Sequence, residues 1–166
     1  GFGFLRVDAI VQKNGGDLRA PMRIKGALFW ALEDSKGKNG HLFLTSEALQ
    51  KEALQLLNAK IPIPSLRLHA QEVSDVLEDM ILHGEVVSVK GDIYLPRVFA
   101  QEDETARRIA MRVVEPPAPE KIEQILEQVK REIGLALSSK QEAAVYAAYR
   151  HNLSIITGSP GTGKTT

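Results

Sequence analysis

The residues with the clearest chemical potential form a glycine-rich loop at positions 158–166. The loop reads Gly158-Ser159-Pro160-Gly161-Thr162-Gly163-Lys164-Thr165-Thr166, which matches G-x-x-x-x-G-K-[ST] at every position. Glycines lack a Cβ, so such a loop turns sharply and aims backbone N–H groups at phosphate oxygens. Lys164 is predicted to reach the β- and γ-phosphates, and the Thr165 hydroxyl to ligate Mg²⁺. The pattern predicts binding of a nucleoside triphosphate with Mg²⁺; the alternative is a glycine-rich connection without a ligand.

The elements around this loop bear on whether the chain hydrolyses its nucleotide. The apolar run at 153–157 predicts a strand that ends at the loop. Hydrolysis also needs the helix after the loop and an acidic residue that holds the metal ion. Neither is visible in the sequence, which also starts at Gly1 without a methionine. We therefore expect a fragment of a longer protein, and no catalytic site that is complete within it.

Composition excludes several classes of protein. The chain has 166 residues, of which 43% are hydrophobic and 25% charged, as in ordinary globular proteins. It has no cysteine, which excludes disulfides, thiolate metal sites and a cysteine nucleophile. No apolar run approaches the ~20 residues of a membrane span. We expect a cytoplasmic protein of one or two domains, with no membrane partner.

The net charge of zero conceals an uneven distribution along the chain. Residues 1–69 carry ten Lys and Arg against six Asp and Glu, whereas residues 70–115 carry five against ten. Residues 116–166 are nearly balanced, with six basic and five acidic side chains. Only the first third therefore has an electrostatic reason to approach a polyanion such as DNA.

Periodicity predicts a mainly α fold with a small β-hairpin, an α+β class. A glycine turn at 1–3 precedes a helix whose predicted inward stripe is Val7, Ile10 and Val11. Residues 21–96 then predict helix, short strand, helix, helix and a hairpin turning at 90–92, which is the order of a winged helix. A further helix is predicted over 101–113.

The third helix of this winged-helix-like region, at about 70–83, is acidic. It carries Glu72, Asp75, Glu78 and Asp79, and no Lys or Arg lies between positions 70 and 89. DNA phosphates would repel such a helix, although this helix commonly enters the major groove. The sequence therefore favours packing or protein contacts for this scaffold over groove reading.

The proline-rich segment at 116–119 is the predicted domain boundary, because it favours a rigid extended linker. It separates an accessory domain at 1–115, which contains a helix-hairpin-helix-like part at 1–20, from a second domain at 120–166. In the second domain a helix is predicted over 120–133. Another helix follows, with Ser139 and Glu142 as its predicted capping box.

Several segments together resemble one family of motor proteins. Residues 137–145 (LSSKQEAAV) and 153–166 resemble the opening of the first, RecA-like motor domain of superfamily-one DNA helicases. Residues 1–10 (GFGFLRVDAI) resemble a helix-hairpin-helix turn. Together with the segments 23–28, 40–44 and 93–96, they are similar to the N-terminal region of RecD/TraA-type helicases, a family that includes exodeoxyribonuclease V alpha subunits.

The resemblance implies an ATP-driven, 5′-to-3′ DNA helicase of repair and recombination, of which this chain is an inactive N-terminal fragment. It implies that Gln141 contacts adenine and that the loop from Gly158 to Thr166 binds ATP, with Thr165 on Mg²⁺. It implies contacts of Gly1, Gly3 and Arg6 with a DNA phosphate, single-stranded or forked DNA as substrate, and other recombination subunits as partners. On the residues alone, Gln141 can equally be an exposed first-turn side chain, and the glycine turn a packing module.

Two other functions fit the residues. The chain could belong to another P-loop ATPase, such as an AAA+-type protein, with a winged-helix regulatory domain. Alternatively, residues 1–115 could be a non-enzymatic module that docks DNA or a protein beside a motor.

Overall fold

The computed structural model describes residues 3–113, 122–134 and 136–164. Seven α-helices, three strands and a short 3₁₀ helix (Pro64–Leu66) are assigned in these ranges, and the α-helices and strands are numbered here. In chain order they are α1 (Phe4–Lys13), α2 (Pro21–Asn39), β1 (Phe43–Thr45), α3 (Ser46–Asn58), α4 (Ala70–Leu82), β2 (Val87–Val89), β3 (Asp92–Tyr94), α5 (Pro96–Arg112), α6 (Ile122–Ile133) and α7 (Ser139–Arg150). The mainly helical class with a small antiparallel sheet is confirmed, as is the predicted order of elements from α2 to β3.

The chain divides into two compact units, Gly1–Glu102 and Asp103–Thr166. The predicted linker at 116–119 lies outside the described residues, and the boundary predicted there stays a prediction.

The core of the first unit lies between α2, α3 and α4 and is closed by the sheet. Its members are apolar side chains of which at most 3% is exposed, among them Leu28, Leu49, Leu57, Val73, Leu77, Met80 and Ile93. Leucines and alanines at spacings of three and four place one apolar stripe on each helix. This cluster holds α1 and the segments between the helices in place.

Local signals fix the ends of these helices. Pro21 occupies the first turn of α2, and Gly40 ends that helix with φ +71°. The Oγ1 atom of Thr45 accepts a hydrogen bond from the Ala48 amide at 3.3 Å, which caps α3. One start was predicted wrongly: α5 begins at Pro96, not near residue 101. Proline suits a first helical turn, and the Leu95 carbonyl accepts hydrogen bonds from the next turn.

The sheet has the order β1-β3-β2, with both pairings antiparallel. Tyr94 lies between Phe43 and Val87 in the register. Its ring contacts those of Phe43 and Phe99, with centroids 5.0 and 5.4 Å away. Burial is the main reason that the pKa of Tyr94 is raised, and nearby carboxylates add to it.

The hairpin turn uses two residues, Lys90 and Gly91, because Asp92 already belongs to β3. Both have positive φ, +53° and +92°, as a type I′ turn requires. The carbonyl of Gly91 also accepts a hydrogen bond from the amide of Ser46, at 2.8 Å. The tip of the hairpin is thus bonded to the first residue of α3.

Replacing Lys90 with asparagine is expected to stabilise the protein by about 0.5–1 kcal/mol. Lysine pays a steric cost in the left-handed region, whereas asparagine before glycine is preferred in this turn. Urea unfolding followed by circular dichroism measures the change. Lys90→Val is the control and should destabilise the protein. Equal stability of all three proteins would contradict the turn assignment.

The inward face of α1 was predicted wrongly. Val7 and Ile10 of the predicted stripe are 47% and 58% exposed, while Asp8 is buried. The carboxylate of Asp8 pairs with the Arg23 guanidinium of α2, and the exposed fractions of these two side chains are 6% and 4%. An ion pair therefore occupies the position where periodicity favoured valine and isoleucine.

Candidate nucleotide-binding site

The glycine-rich loop owes its course to its glycines. Gly161 and Gly163 have φ values of +79° and +72°, a region that side chains with a Cβ rarely adopt. At Gly158 a Cβ would lie 2.9 Å from the Oγ1 atom of Thr162. Each of the three therefore has a conformational or steric reason to be glycine. Thr165 and Thr166 lie outside the described residues.

Lys164 closes the loop on itself. Its Nζ atom donates hydrogen bonds to the carbonyl oxygens of Gly158 and Ser159, at 2.9 and 2.7 Å. The Thr162 hydroxyl donates to the same Ser159 carbonyl at 2.8 Å. The ammonium group predicted to bind phosphate thus lies inside the loop, held by oxygens that a phosphate could replace.

Gln141 lies beside this loop, in the first turn of α7. Its Nε2 atom is 3.5 Å from the Thr162 carbonyl oxygen, and its Oε1 atom accepts a hydrogen bond from the Ser138 amide at 2.8 Å. The Ser138 hydroxyl in turn accepts from the Gln141 amide at 3.3 Å. The capping box is therefore formed by Ser138 and Gln141, one residue before the predicted pair Ser139 and Glu142.

The displaced capping box has a simple cause. Both pairs have a serine followed three residues later by a side chain that can accept a hydrogen bond, so the pattern fits either register. In the observed register Ser138 has extended backbone angles, while Ser139 already belongs to the helix.

A cavity of about 760 Å³ lies between α6, α7 and the loop. Loop residues on its wall are Gly158, Thr162, Gly163 and Lys164, and Gln141 lines it from α7. Apolar walls come from Leu126, Val129, Leu137, Ala144, Val145, Ala148, Tyr149 and Ile156. The structure thus brings the predicted adenine contact and the predicted phosphate contacts to one cavity. Ser159, Pro160 and Gly161 belong to the same loop but are not on the cavity wall.

The volume and lining of the cavity suit a small ligand with an apolar part and an anionic part. Ligand clefts of ~300–1,000 Å³ are mostly apolar, with a few convergent polar groups. Here the amide of Gln141 and the ammonium of Lys164 are such groups. An aromatic base can pack on the apolar wall while phosphates contact the loop.

An ion-pair network that periodicity did not indicate holds α7 against α6. The Nζ atom of Lys130 lies 2.7 Å from a Glu127 carboxylate oxygen and 2.5 Å from one of Glu142. These hydrogen bonds raise the pKa of Lys130 and, on the other side, lower the pKa of Glu127. Glu142 is the neighbour of Gln141, so the network positions the first turn of α7 and with it the amide beside the loop.

The strand predicted at 153–157 is not formed. These residues have no regular secondary structure, and Ile155 and Ile156 are 84% and 49% exposed. A strand needs a partner for its backbone hydrogen bonds, and no strand is assigned beside this segment in the described part of the chain.

Two of the residues predicted to contact DNA, Gly3 and Arg6, lie at the beginning of α1. Gly3 immediately precedes α1 with φ −65°, which any residue adopts, but a Cβ there would lie 2.8 Å from the Trp30 ring. Gly3 is thus required for close packing on an aromatic ring rather than for its backbone angles. Arg6 is exposed on α1, and no ion pair involves it within the described ranges. Gly1 lies outside those ranges.

The acidic helix α4 is partly neutralised by its neighbours. Glu72 pairs with Arg19 at 2.9 Å, and Asp79 lies 3.1 Å from Lys25. Hydrogen bonds with Glu85 and Asp79 raise the pKa of Lys25, and the bond to Lys25 is the main cause that lowers the pKa of Asp79.

A search of the described residues finds no group of three or more His, Cys, Asp or Glu side chains arranged to hold a metal ion. None of the helices described here is long and apolar enough to cross a membrane.

Comparison with known proteins relates the chain to RecD-like DNA helicases. No protein-family model matches it. The ATP-dependent RecD2 DNA helicase of Deinococcus radiodurans is 29% identical over 170 residues, an alignment that covers 100% of this chain and 24% of that helicase. The chain therefore spans about a quarter of the relative's length.

Proposed function

We propose that the chain is a segment of a RecD-like ATP-dependent DNA helicase and that the cavity beside α7 is its ATP site. The observation that carries this proposal is that Gln141, two loop glycines (Gly158 and Gly163) and Lys164 line one cavity. The whole-length similarity to a helicase of this kind supports it. Unwinding with 5′-to-3′ polarity, a place in exodeoxyribonuclease V-type assemblies and a role in repair and recombination belong to the same proposal and rest on sequence resemblance.

ATP would change the hydrogen bonds of the loop. Lys164 would release the carbonyls of Gly158 and Ser159 and turn to the phosphates, where charge-assisted hydrogen bonds are stronger. The backbone N–H groups of the loop would contact phosphate oxygens, as the left-handed glycines allow. When bound, Mg²⁺ would neutralise phosphate charge, and Thr165 is the residue proposed to ligate it.

Gln141 would contact the adenine from the first turn of α7. Its Nε2 atom can donate to N7 of the base, while Oε1 already accepts from the Ser138 amide. Bidentate contact with N6 and N7 requires that Oε1 leaves the capping box.

The residues before α6 would form an accessory region with a winged-helix-like order of elements. The exposed face of α4, with Glu78 and Leu82, favours packing or protein contacts over DNA readout. Glu72 and Asp79 of α4 form ion pairs, whereas Glu78 has no basic partner among the described residues. This observation favours the second candidate function, a docking module beside a motor.

Replacing Lys164 with alanine is expected to weaken ATP binding by about 10- to 100-fold, because a hydrogen bond from a charged group contributes ~1.5–3 kcal/mol. Titration of a fluorescent ATP analogue with Mg²⁺ measures the affinity. The wild-type chain should bind it weakly, because Lys164 must first leave two carbonyls. We expect no phosphate release from ATP in the same samples.

Arg131→Ala is the matched control, since Arg131 is an exposed cation of α6 that is not among the residues lining the cavity. Its affinity for the nucleotide should stay within about twofold of wild type, as surface charges contribute little. Equal affinities of the wild type and Lys164→Ala would contradict the proposed ATP site.

A further inference from the structure

A second concavity, in the unit Gly1–Glu102, collects basic side chains. It has a volume of about 490 Å³ and lies between the turn after α1 and the connector from α3 to α4. Arg19 and Lys60 line it, together with Leu18, Ile61, Pro62 and Leu66. We propose that this concavity binds the phosphate backbone of a DNA strand, a choice of ligand that rests on the proposed helicase function.

The fold of the connector between α3 and α4 determines where the basic side chains of this site lie. Arg67 donates from Nε to the carbonyl of Ile61 at 3.0 Å, so it lies beside a residue that lines the concavity. Arg19 donates to the Arg67 carbonyl at 3.4 Å, so the two arginines lie close together. Lys60 is exposed at the opposite end of the connector. Two cations distant in sequence, Arg19 and Lys60, thus line the concavity, and Arg67 lies beside it.

The acidic residues nearby compensate only part of this charge. Glu72 forms an ion pair with Arg19, and Asp17 lines the concavity, where its Oδ1 atom accepts a hydrogen bond from the Arg19 amide. Neither Lys60 nor Arg67 has an acidic partner among the described residues. Their free donors are therefore available to phosphate oxygens, which are the main determinants of non-specific DNA affinity.

The rest of the lining suits a nucleic acid strand. Ile61, Pro62 and Leu66 give an apolar floor on which sugar and base edges can lie between phosphates. Gly15, with φ +68°, and Gly16 form one wall without side chains, so a backbone can approach closely.

Lys60→Gln tests the proposal without risk to the fold, since Lys60 is exposed and no side-chain hydrogen bond of it is found within the described ranges. The probe is a fluorescein-labelled oligothymidine of ~20 nucleotides, long enough for one site. Its affinity is measured by anisotropy from about 50 to 300 mM salt. Loss of one phosphate contact should lower the slope of log K against log salt by about 0.7 and the affinity at 50 mM by about eightfold.

Lys36→Gln is the matched control, because Lys36 lies fifteen residues after Pro21 along α2, ~22 Å from the end of the helix nearest the concavity. Arg67→Gln is the second variant and should resemble Lys60→Gln. Equal slopes for Lys60→Gln, Lys36→Gln and the wild type would overturn the inference, as would the absence of any wild-type DNA binding at low salt. Neither outcome bears on ATP binding, whose test relies on Lys164, so the two proposals can fail separately.

Discussion

Replacing Asp8 with alanine will lower the free energy of unfolding by about 3–5 kcal/mol, because it leaves the buried Arg23 guanidinium without its counter-charge. Arg23 donates to both carboxylate oxygens of Asp8 and also to the Leu18 and Leu57 carbonyls, each at 2.8 Å. These bonds join α1, the following turn and the end of α3 to α2. Chemical unfolding followed by circular dichroism measures the loss.

Two further variants separate the buried charge from general effects of the substitution. Asp34→Ala removes a surface partner of Lys38 and should cost less than about 1 kcal/mol. The double variant Asp8→Leu with Arg23→Met removes both charges, and we expect it to be more stable than Asp8→Ala alone. A loss below about 1 kcal/mol for Asp8→Ala would show that the ion pair does not form in solution.

Replacing Leu77 with alanine will cost about 3–5 kcal/mol, the range for a leucine removed from a well-packed core. Leu77 is 2% exposed on the inner face of α4, within the cluster formed with α2 and α3. The lost methyl groups leave a cavity that rigid neighbours fill only in part. Thermal and urea unfolding both measure this change.

The control for this prediction lies five residues further along the same helix. Leu82 is 82% exposed, so Leu82→Ala should change the stability by no more than about 0.5 kcal/mol. Similar losses for the two leucines would contradict the orientation of α4, and with it the assignment of its acidic side to the surface.

Helix positions in the first unit could be predicted well because apolar spacing and capping residues agree there. Leu49, Ala53 and Leu57 recur on one face of α3 and are buried there, and the side chain of Thr45 caps the helix. The face of α1 could not be predicted in this way. Asp8 is buried only because Arg23 neutralises it, and no periodicity reveals a partner fifteen residues away. The one available signal was a charged residue, Arg23, next to the apolar stripe of α2.

The candidate ATP site was predictable in its residues but not in its hydrogen bonds. The motif indicated the glycines and Lys164. The positive φ values of Gly161 and Gly163 agree with the expectation that the loop needs glycine to turn sharply. Spacing alone could not show that Lys164 bonds to its own loop or that Gln141 belongs to a capping box. Both arrangements depend on which backbone groups lie within reach of the side chain in the folded loop, and residue spacing does not specify those groups.

The hydrogen bond between the Ser46 amide and the Gly91 carbonyl restricts bending of the hairpin. A hairpin tip that extends freely into solvent can bend toward a partner at little cost. This tip is instead anchored to the beginning of α3, where it satisfies an amide that the helix itself leaves unpaired. Bending of the hairpin would therefore break this hydrogen bond and leave the first amide of α3 without its partner.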